Sequence, residues 1–281
     1  MNNHPRCLIL GLGYTAMRFA ESLLDDGWEV AGTTRSPEKA GMLRERGLTV
    51  HVDAPPDFAR VTHLLASAAP GDAGDPFLAA YGAAIRAAPL KWAGYLSTTG
   101  VYGDRDGGSV DETSELRPSS RRSERRVAAE AAWLKATPTA HIFRLPGIYG
   151  PGRNALEQVR GGRARRILKP GHRFSRIHVD DIATVLQASM ARPRGGAIYN
   201  VTDDLPAESA EVLSFAADLL GVPPPPAVRF ADADLSPMAR SFYADNKTVR
   251  NALIKQELGV RLAYPTYREG LQALAAAYSA G

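Results

Sequence analysis

The chain has 281 residues, of which 44% are hydrophobic and 23% charged, and its net charge is +4. This composition is far from that of the disordered and membrane classes, and the length suits one large α/β domain with a smaller appended lobe. No apolar run approaches the roughly 20 residues of a membrane-spanning helix, and the first residues lack the pattern of a secretory signal. We therefore expect a cytoplasmic protein without a membrane partner. The single cysteine, Cys7, suits this reducing compartment, because it cannot form a disulfide within the chain.

A strand, a glycine turn and a helix are the first elements that the sequence predicts. Residues 6–10 form a short apolar run, and the next apolar positions recur at helical spacing until Gly27. The pattern G-x-G-x-x-A between them is typical of dinucleotide-binding folds: Gly11 permits a tight turn, Gly13 lets a pyrophosphate approach the backbone, and Ala16 allows close packing. A tight turn that binds nothing is the alternative. The predicted phosphate-binding residues are Gly11, Gly13, Tyr14, Thr15 and Ala16.

The end of the second predicted strand bears on the choice of cofactor. This strand covers residues 28–33 and is followed by Thr34, Arg35 and Ser36. Folds that prefer NAD carry an acid about here, which holds the ribose 2′-hydroxyl. Arg35 would instead pair with a 2′-phosphate, so we expect NADP as the cofactor, in contact with all three residues. A surface arginine without a ligand is the alternative.

The strands that follow predict the type of sheet. Further apolar runs lie at 48–52, 61–66 and 92–96. Their alternation with helical stretches is typical of an α/β Rossmann fold with a doubly wound parallel sheet. Asp53, just after the third strand, either accepts a hydrogen bond from the adenine or forms a turn. Ala66 and Ser67, at the end of the fourth strand, are expected to pass beneath the cofactor.

Four motifs along the chain carry a family resemblance. They are S-T-T-G-V-Y-G at 97–103, R-L-P-G-I-Y-G-P-G at 144–152, I-H-V-D-D-I-A at 177–183 and Y-N-V at 199–201. In this order, and after the glycine turn, they resemble the extended short-chain dehydrogenase/reductases, also called the NAD-dependent epimerase/dehydratase family. The resemblance covers nearly the whole chain. It implies a Rossmann domain, a nicotinamide cofactor and a separate lobe for the substrate.

The resemblance also implies a division of the chain. We expect an NADP-binding Rossmann domain over 1–170 with a returning strand near 197–202, and a smaller C-terminal substrate lobe over most of 171–281. Family members often dimerise through two helices, which here correspond to 75–89 and 122–136. Because the second of these is rich in arginine, a symmetric pairing would set like charges against one another, and both a monomer and a homodimer remain open.

Catalysis in this family uses a Ser or Thr that polarises the substrate oxygen, a Tyr that acts as general acid or base, and a Lys four residues later. Thr98 occupies the Ser/Thr position. The segment expected to carry the other two contains neither: the Tyr position falls on Arg122, or on Ser123 after a shift of one residue, and the Lys position falls on Arg126. The ordinary acid/base group is therefore missing.

Two residues are candidates to replace the missing groups. Arg126 can supply the positive charge of the Lys and reach the ribose hydroxyls, but a guanidinium does not take up a proton near neutral pH. Tyr102, the phenol nearest to Thr98 in sequence, either substitutes as the acid/base or has a packing or substrate-lining role. The predicted catalytic residues are thus Thr98, Arg126 and Tyr102.

Positive charge is concentrated between the second and third of the four motifs. Residues 153–176 hold eight Lys or Arg and one acid, which indicates either an anionic substrate or a solvated surface. Nucleic acid is disfavoured, because this stretch has only one aromatic residue, Phe174, to stack on bases. We predict no metal site. The predicted substrate-binding residues are Arg153, Arg173, Arg176 and His178, of which His178 has a structural role as its alternative.

Two functions follow from these observations. The first is an NADP-dependent oxidoreductase or epimerase that acts on a small, anionic, hydroxylated substrate, with Thr98 orienting the substrate oxygen. The second is a catalytically inactive NADP(H)-binding sensor or scaffold, which the missing Tyr and Lys favour. Loss of turnover in Thr98→Ala would separate the two, since a sensor has no turnover to lose.

Overall fold

The computed structural model describes residues 6–279. Its strands are β1 (Arg6–Leu10), β2 (Glu29–Thr34), β3 (Thr49–Val52), β4 (His63–Ala66), β5 (Trp92–Thr98), β6 (Ser109–Val110), β7 (Ala140–Leu145), β8 (Gly147–Tyr149), β9 (Arg166–Leu168), β10 (Arg176–His178), β11 (Ile198–Asn200), β12 (Ala227–Arg229) and β13 (Thr248–Val249). Its α-helices are α1 (Tyr14–Asp25), α2 (Pro37–Glu45), α3 (Pro76–Ala87), α4 (Arg121–Ala136), α5 (Ala155–Arg160), α6 (Val179–Ala191), α7 (Ser209–Leu219), α8 (Pro237–Phe242), α9 (Ala252–Gln256) and α10 (Tyr267–Ser279).

The central sheet has seven strands within residues 6–279, in the order β11-β7-β5-β4-β1-β2-β3. β1 pairs in parallel with β2 and β4, and the pairs β2–β3 and β4–β5 are parallel as well. The predicted doubly wound Rossmann sheet is confirmed, and β11 lies where the returning strand was expected. The strand order reverses between β1 and β4, which is the position at which such sheets bind dinucleotides.

The chain divides into two compact units that alternate along the sequence. The first comprises the described residues up to Thr98 together with Arg121–Arg144 and Ile182–Tyr199. Its core packs the strands of the sheet against apolar side chains of α3 and α4. Large rings fill this core: Tyr95 and Trp133 are fully buried and stack with their centroids 5.9 Å apart. Such aromatic packing fixes the carboxyl end of β5 against α4.

The second unit comprises Thr99–Ser120, Leu145–Asp181 and the described residues from Asn200 onward. It contains three two-stranded parallel ladders, β8–β10, β9–β12 and β6–β13. Its own core is built mainly from α5, α7 and α10 around Tyr149 and Tyr267. Gly270 of α10 admits the Tyr149 ring, since a Cβ there would lie 2.2 Å from the Tyr149 hydroxyl. Each unit therefore has a separate hydrophobic core.

This division differs from the expected boundary at residue 170. Residues 99–120 and 145–170 were expected in the Rossmann domain but cluster with the second unit. The second unit is consequently about as long as the first and is not the smaller lobe that was expected. The physical reason is that the short strands β6, β8 and β9 pair with later strands of the second unit, a long-range pairing that local patterns do not reveal.

Among the described helices, none has both the length and the apolar character required to cross a membrane. Cys7 lies fully buried in β1, and this burial raises the pKa of its thiol. The thiol is accordingly an inert core group rather than a nucleophile.

Candidate cofactor and anion sites

The glycine turn between β1 and α1 has the geometry of a ligand cradle. Gly11 has a φ of +90°, a left-handed conformation that favours glycine, and its N–H donates to Thr33 Oγ1 at 2.9 Å. Gly13 has an ordinary φ of −86°, so its backbone does not require glycine, yet a Cβ added there would meet nothing within 4 Å. The lack of a side chain at Gly13 thus leaves open space beside the backbone.

The start of α1 is suited to an anion. Gly13 occupies the N-cap position and offers no side chain to cap the first turn, which holds Tyr14, Thr15 and Ala16. Ala16 is fully buried and Thr15 nearly so, as close packing of α1 on the sheet requires. Helix N-termini favour negative charge and offer backbone N–H groups. The fit to a pyrophosphate therefore rests on the open side of the turn and on this helix start.

The segment after β2 combines an exposed cation with a helix cap. Arg35 is exposed, and within residues 6–279 its guanidinium makes no hydrogen bond or ion pair. The Ser36 hydroxyl caps α2 by accepting from the Lys39 N–H at 3.2 Å, and Thr34 Oγ1 accepts from the Ser36 N–H at 3.3 Å. Ser36 and Thr34 therefore shape the turn that presents Arg35.

Lys39 lies at the candidate cofactor site, although no sequence pattern pointed to it. Its Nζ donates to the carbonyl of Leu12 at 2.5 Å, which brings an ammonium group onto the glycine turn itself. Lys39 lies in the first turn of α2, one turn after the cap residue Ser36. A lysine in the first turn of the helix that follows the second strand is the signal that could have revealed it.

The residues predicted after β3 and β4 lie at the same edge of the sheet. Asp53 is exposed and has a φ of +52°, a turn conformation that short polar side chains tolerate. This geometry favours the turn-forming interpretation, while contact with an adenine stays a prediction. Ala66 is fully buried, and the Ser67 N–H donates to the Leu10 carbonyl at 3.0 Å. Ser67 thus continues the pairing of β4 with β1 towards the glycine turn.

Arg126 is held at the carboxyl ends of β4 and β5. Its Nη1 donates to the Leu96 carbonyl at 2.6 Å, to the Tyr95 hydroxyl at 2.9 Å and to the Ala68 carbonyl at 3.4 Å. Burial raises the pKa of Tyr95 to about 12 although Arg126 acts in the opposite direction. Arg122 on the same helix is exposed and Ser123 is buried. No phenol therefore stands at the position where the family carries its Tyr.

A buried charge network lies beside Thr98. Ser97 Oγ donates to Glu130 Oε1 at 2.5 Å, and Arg144 donates to the same carboxylate through Nη2 at 2.7 Å and Nε at 3.1 Å. Arg144 is 2% exposed and Glu130 is 3% exposed. The first residue of the R-L-P-G-I-Y-G-P-G motif therefore supports the fold, and Thr98 stands half-buried at the end of β5.

Tyr102 lies in a short 3-10 helix, Thr99–Tyr102, of the second unit. It is fully buried, and its hydroxyl donates to Asn200 Oδ1 at 2.7 Å. The phenolic proton is thus engaged with a residue of the Y-N-V motif. This arrangement favours the packing interpretation of Tyr102, and a catalytic role stays a prediction.

A cavity of about 270 Å³ in the second unit brings together two of the predicted substrate-binding arginines, Arg153 and Arg176. Arg176 Nη1 donates to the carbonyls of Phe174 at 2.8 Å and Ala207 at 3.0 Å. Among the described residues no carboxylate lies within ion-pair distance of Arg176, and burial lowers the pKa of its guanidinium. The other lining residues are Gly147, Ile148, Tyr149, Asn154, Ala155, Gln158, Ser209, Val212, Leu213, Tyr267 and Leu271.

Asp203 is the acid that acts on Arg176 from outside ion-pair distance. It is 1% exposed, and burial raises the pKa of its carboxyl to about 8 even though Arg176 lowers it. Its Oδ1 accepts from the Leu205 N–H at 3.3 Å, while Oδ2 has no hydrogen-bond partner among the residues that the structure describes. The raised pKa of Asp203 disfavours a negative charge beside Arg176.

The other two predicted substrate-binding residues are not part of this cavity. Arg173 is exposed and does not line it. His178 is 1% exposed and packs between the rings of Tyr149 and Tyr264, with centroids at 5.1 and 4.0 Å. Its Nδ1 accepts from the Asp180 N–H at 3.3 Å. The structural interpretation of His178 is the one that the geometry favours, and substrate contact by either residue stays a prediction.

Comparisons with known proteins give relatives over almost the full length. None of the known family models matches the chain. Protein YeeZ of Escherichia coli K12 is 27% identical, with 92% of this chain and 95% of that protein covered. A 3-diazoavenalumate denitrifying reductase of a Streptomyces species is 31% identical over 143 residues, which cover 46% of this chain and 45% of the reductase.

Similar solved structures extend the comparison. A conserved protein of unknown function from Silicibacter pomeroyi DSS is 52% identical, with a TM-score of 0.94 and coverage of 97% of this chain and 99% of that one. A provisionally assigned NAD-dependent epimerase/dehydratase from Methylobacillus flagellatus is 25% identical, with a TM-score of 0.70 over 98% and 99%. A Bacillus cereus UDP-glucuronic acid 4-epimerase mutant in complex with a UDP-sugar acid and NAD is 15% identical, with a TM-score of 0.79 over 98% and 99%.

Proposed function

We infer that the chain belongs to the extended short-chain dehydrogenase/reductase-like family, and from that premise we propose that it is an NADP-dependent oxidoreductase or epimerase acting on a small, anionic, hydroxylated substrate. The observation that carries the proposal is the glycine turn. Its open side at Gly13 lies at the start of α1, and the cation Lys39 is bonded to the turn itself. This combination suits a dinucleotide with an additional phosphate.

The preference for NADP over NAD rests on Arg35 and Lys39. Arg35 follows β2, where an NAD-binding fold would carry an acid, and it has no described protein partner. Lys39 adds a second positive charge close by. A bound nicotinamide cofactor would supply or accept a hydride, while the backbone of the turn would hold its pyrophosphate and Arg35 its 2′-phosphate. NAD in the solved epimerase complex supports the cofactor class only.

The anionic character of the substrate rests on Arg176. A largely buried guanidinium whose partners are two neutral carbonyls is completed electrostatically by an anion. Arg153 lines the same cavity, so a carboxylate or phosphate there would meet two arginines. The UDP-sugar acid bound by the Bacillus cereus epimerase supports a ligand of this chemical class.

Turnover would depend on Thr98 and Arg126. Thr98 at the end of β5 would orient the substrate oxygen, and Arg126 would provide the charge of the absent Lys. The alternative is a cofactor-binding protein without turnover, which the engagement of the Tyr102 hydroxyl by Asn200 favours. We propose that either form works in the reducing cytoplasm as a monomer or homodimer and binds no nucleic acid.

A titration with NADPH and NADH, followed by cofactor fluorescence, tests the proposal. We expect NADPH to bind more tightly than NADH, and Arg35→Asp to lose or reverse that preference because it places a carboxylate beside the 2′-phosphate. Gly13→Val should abolish binding of both nucleotides without lowering the melting temperature, since its side chain would enter open space. Absence of binding of either nucleotide to the unaltered protein would contradict the proposal.

An activity assay separates the enzyme from the cofactor-binding protein without turnover. Once cofactor is shown to bind, oxidation of NADPH can be followed with carbonyl-bearing anions, and reduction of NADP+ with hydroxylated anions, as substrates. A loss of turnover in Thr98→Ala with unchanged NADPH affinity is expected of an enzyme. Turnover that is unchanged in Thr98→Ala would contradict the role of Thr98, and the absence of turnover in an unaltered protein that binds NADPH would leave the cofactor-binding form as the function.

A further inference from the structure

Arg126 differs from its basic neighbours on α4 in the kind of partner it has. Arg121 and Arg125 both form ion pairs with Asp72 near the surface. Arg126 pairs with no carboxylate among the described residues and donates only to three neutral oxygens, all through Nη1. Its positive charge is therefore held in place without being neutralised.

The position of Arg126 relates it to one half of a dinucleotide. Its partners Ala68 and Leu96 follow or end the neighbouring strands β4 and β5, whereas Arg35 follows β2 on the other side of β1. In this fold the adenosine ribose is read at the end of the second strand, so the nicotinamide half extends towards β4 and β5. The Nε and Nη2 groups of Arg126 have no hydrogen-bond partner within residues 6–279 and remain available for hydroxyl or phosphate oxygens.

Tyr95 supplies the single described side chain that accepts from Arg126. Its ring stacks on Trp133, and the Arg126 guanidinium lies 5.6 Å from its ring centroid. Burial, with the negative charges of Asp75 and Glu130, keeps the phenol neutral by raising its pKa to about 12. The neutral Tyr95 hydroxyl therefore orients the Arg126 guanidinium without neutralising its positive charge, as a carboxylate partner would.

We propose that Tyr95 is a positioning residue that holds Arg126 in place to bind the nicotinamide-side ribose of NADP(H). This inference rests on the proposed function. In the family a Lys lowers the pKa of the Tyr. Here the roles are reversed, because the buried phenol of Tyr95 orients the cation Arg126. Tyr95 itself touches neither cofactor nor substrate, so its effect must pass through Arg126.

Binding of NADPH and of 2′,5′-ADP, which lacks the nicotinamide half, tests this role in Tyr95→Phe. The substitution keeps the ring and its stack on Trp133 and removes one oxygen. We expect NADPH affinity to fall about tenfold, the scale of one hydrogen bond to a charged group, while 2′,5′-ADP affinity stays unchanged. A merely structural role for Tyr95 would weaken both ligands together.

A double-mutant cycle and a matched control complete the test. In an Arg126→Ala background, Tyr95→Phe should have no further effect on NADPH, because the residue that it positions is gone. Arg125→Ala, the neighbouring arginine with a surface ion pair, should change neither affinity. Equal losses for the two ligands, or additive effects in the cycle, would overturn the role of Tyr95 alone. Failure of the unaltered protein to bind either ligand would overturn the proposed function and this inference with it.

Discussion

Arg144 in the first unit and Arg176 in the second are both arginines in poorly hydrated surroundings, but their partners differ. Arg144 donates through Nη2 and Nε to the Glu130 carboxylate, which also accepts from Ser97. Arg176 donates to two backbone carbonyls, and within the described chain no carboxylate forms an ion pair with it. Arg144 is thus electrically balanced by the protein itself, and Arg176 is not.

We propose that the difference separates a structural arginine from a ligand-binding one. Removing charges from water is costly, and a carboxylate partner offsets that cost only when the geometry is good. The pair Arg144–Glu130 meets this condition and ties α4 to β7. Arg176 has no carboxylate partner at its cavity, and an anion from solution would supply the missing negative charge. On this proposal the same residue type stabilises the fold in one unit and binds an anion in the other.

The largest expected effect is the loss of folding stability when Arg144 loses its carboxylate partner. Glu130→Gln would leave the buried Arg144 guanidinium without a counter-charge, and we expect the free energy of unfolding to fall by about 3–5 kcal/mol, measured by urea denaturation. Glu115→Gln is the matched control, because Glu115 pairs with Arg117 at an exposed position. That surface change should cost no more than about 1 kcal/mol. Similar losses in the two variants would remove the distinction.

The second prediction concerns the unbalanced arginine. Arg176→Met removes a cation that the fold does not neutralise, so we expect the stability to stay within about 1 kcal/mol of its original value. Affinity for sulfate, measured by calorimetry, should fall about tenfold through the loss of a charge-assisted bond. Arg173→Met, which alters an exposed arginine that does not line the cavity, should leave sulfate affinity unchanged. Equal sulfate affinities in both variants would show that Arg176 binds no anion.

The smallest effect is a dependence of sulfate affinity on pH. The pKa of Asp203 is raised to about 8, so its carboxyl gains a negative charge near Arg176 as the pH rises through that value. Sulfate keeps its charge over this range, and its affinity should fall by about fivefold, an energy of order 1 kcal/mol. Asp203→Asn should give a nearly constant affinity. An unchanged pH dependence in that variant would exclude Asp203 as the cause.

The raised pKa of Asp203 also determines how the stability of the protein changes with pH. Because the folded-state pKa of Asp203 lies above its ordinary value, the folded chain binds this proton more tightly than the unfolded chain does. The contribution of Asp203 to stability therefore falls as the pH rises from about 4 to about 8. Urea denaturation at both ends of this window should show a smaller decline in Asp203→Asn than in the unaltered protein.

How much could be predicted from the sequence varied with the distance between partners. The glycine turn, the first five strands and the first helix follow local patterns, and the structure has them within a few residues of the expected bounds. The functional side chains were harder. Arg126 was expected at the cofactor ribose, but its partners Tyr95 and Ala68 lie 31 and 58 residues away in sequence, so no local pattern reveals them.

Local patterns also misjudged the extent of the second unit. The strands β6 and β8 are only two and three residues long, too short for an alternation to be recognised. Each is stabilised by pairing with a later strand, β13 and β10 respectively. A boundary drawn from motif order placed them in the Rossmann domain, whereas the pairing assigns them to the second unit.

The sequence by itself determined the Rossmann sheet and the glycine turn, because apolar periodicity and the conformational freedom of glycine act over a few neighbouring residues. Only the tertiary structure decided which charges are balanced. Glu130 on α4 pairs with Arg144 on β7, whereas Arg176 donates to two carbonyls and lies near Asp203, whose pKa burial raises. Since the cost of burying a charge depends on every group around it, the role of each arginine follows from the folded arrangement.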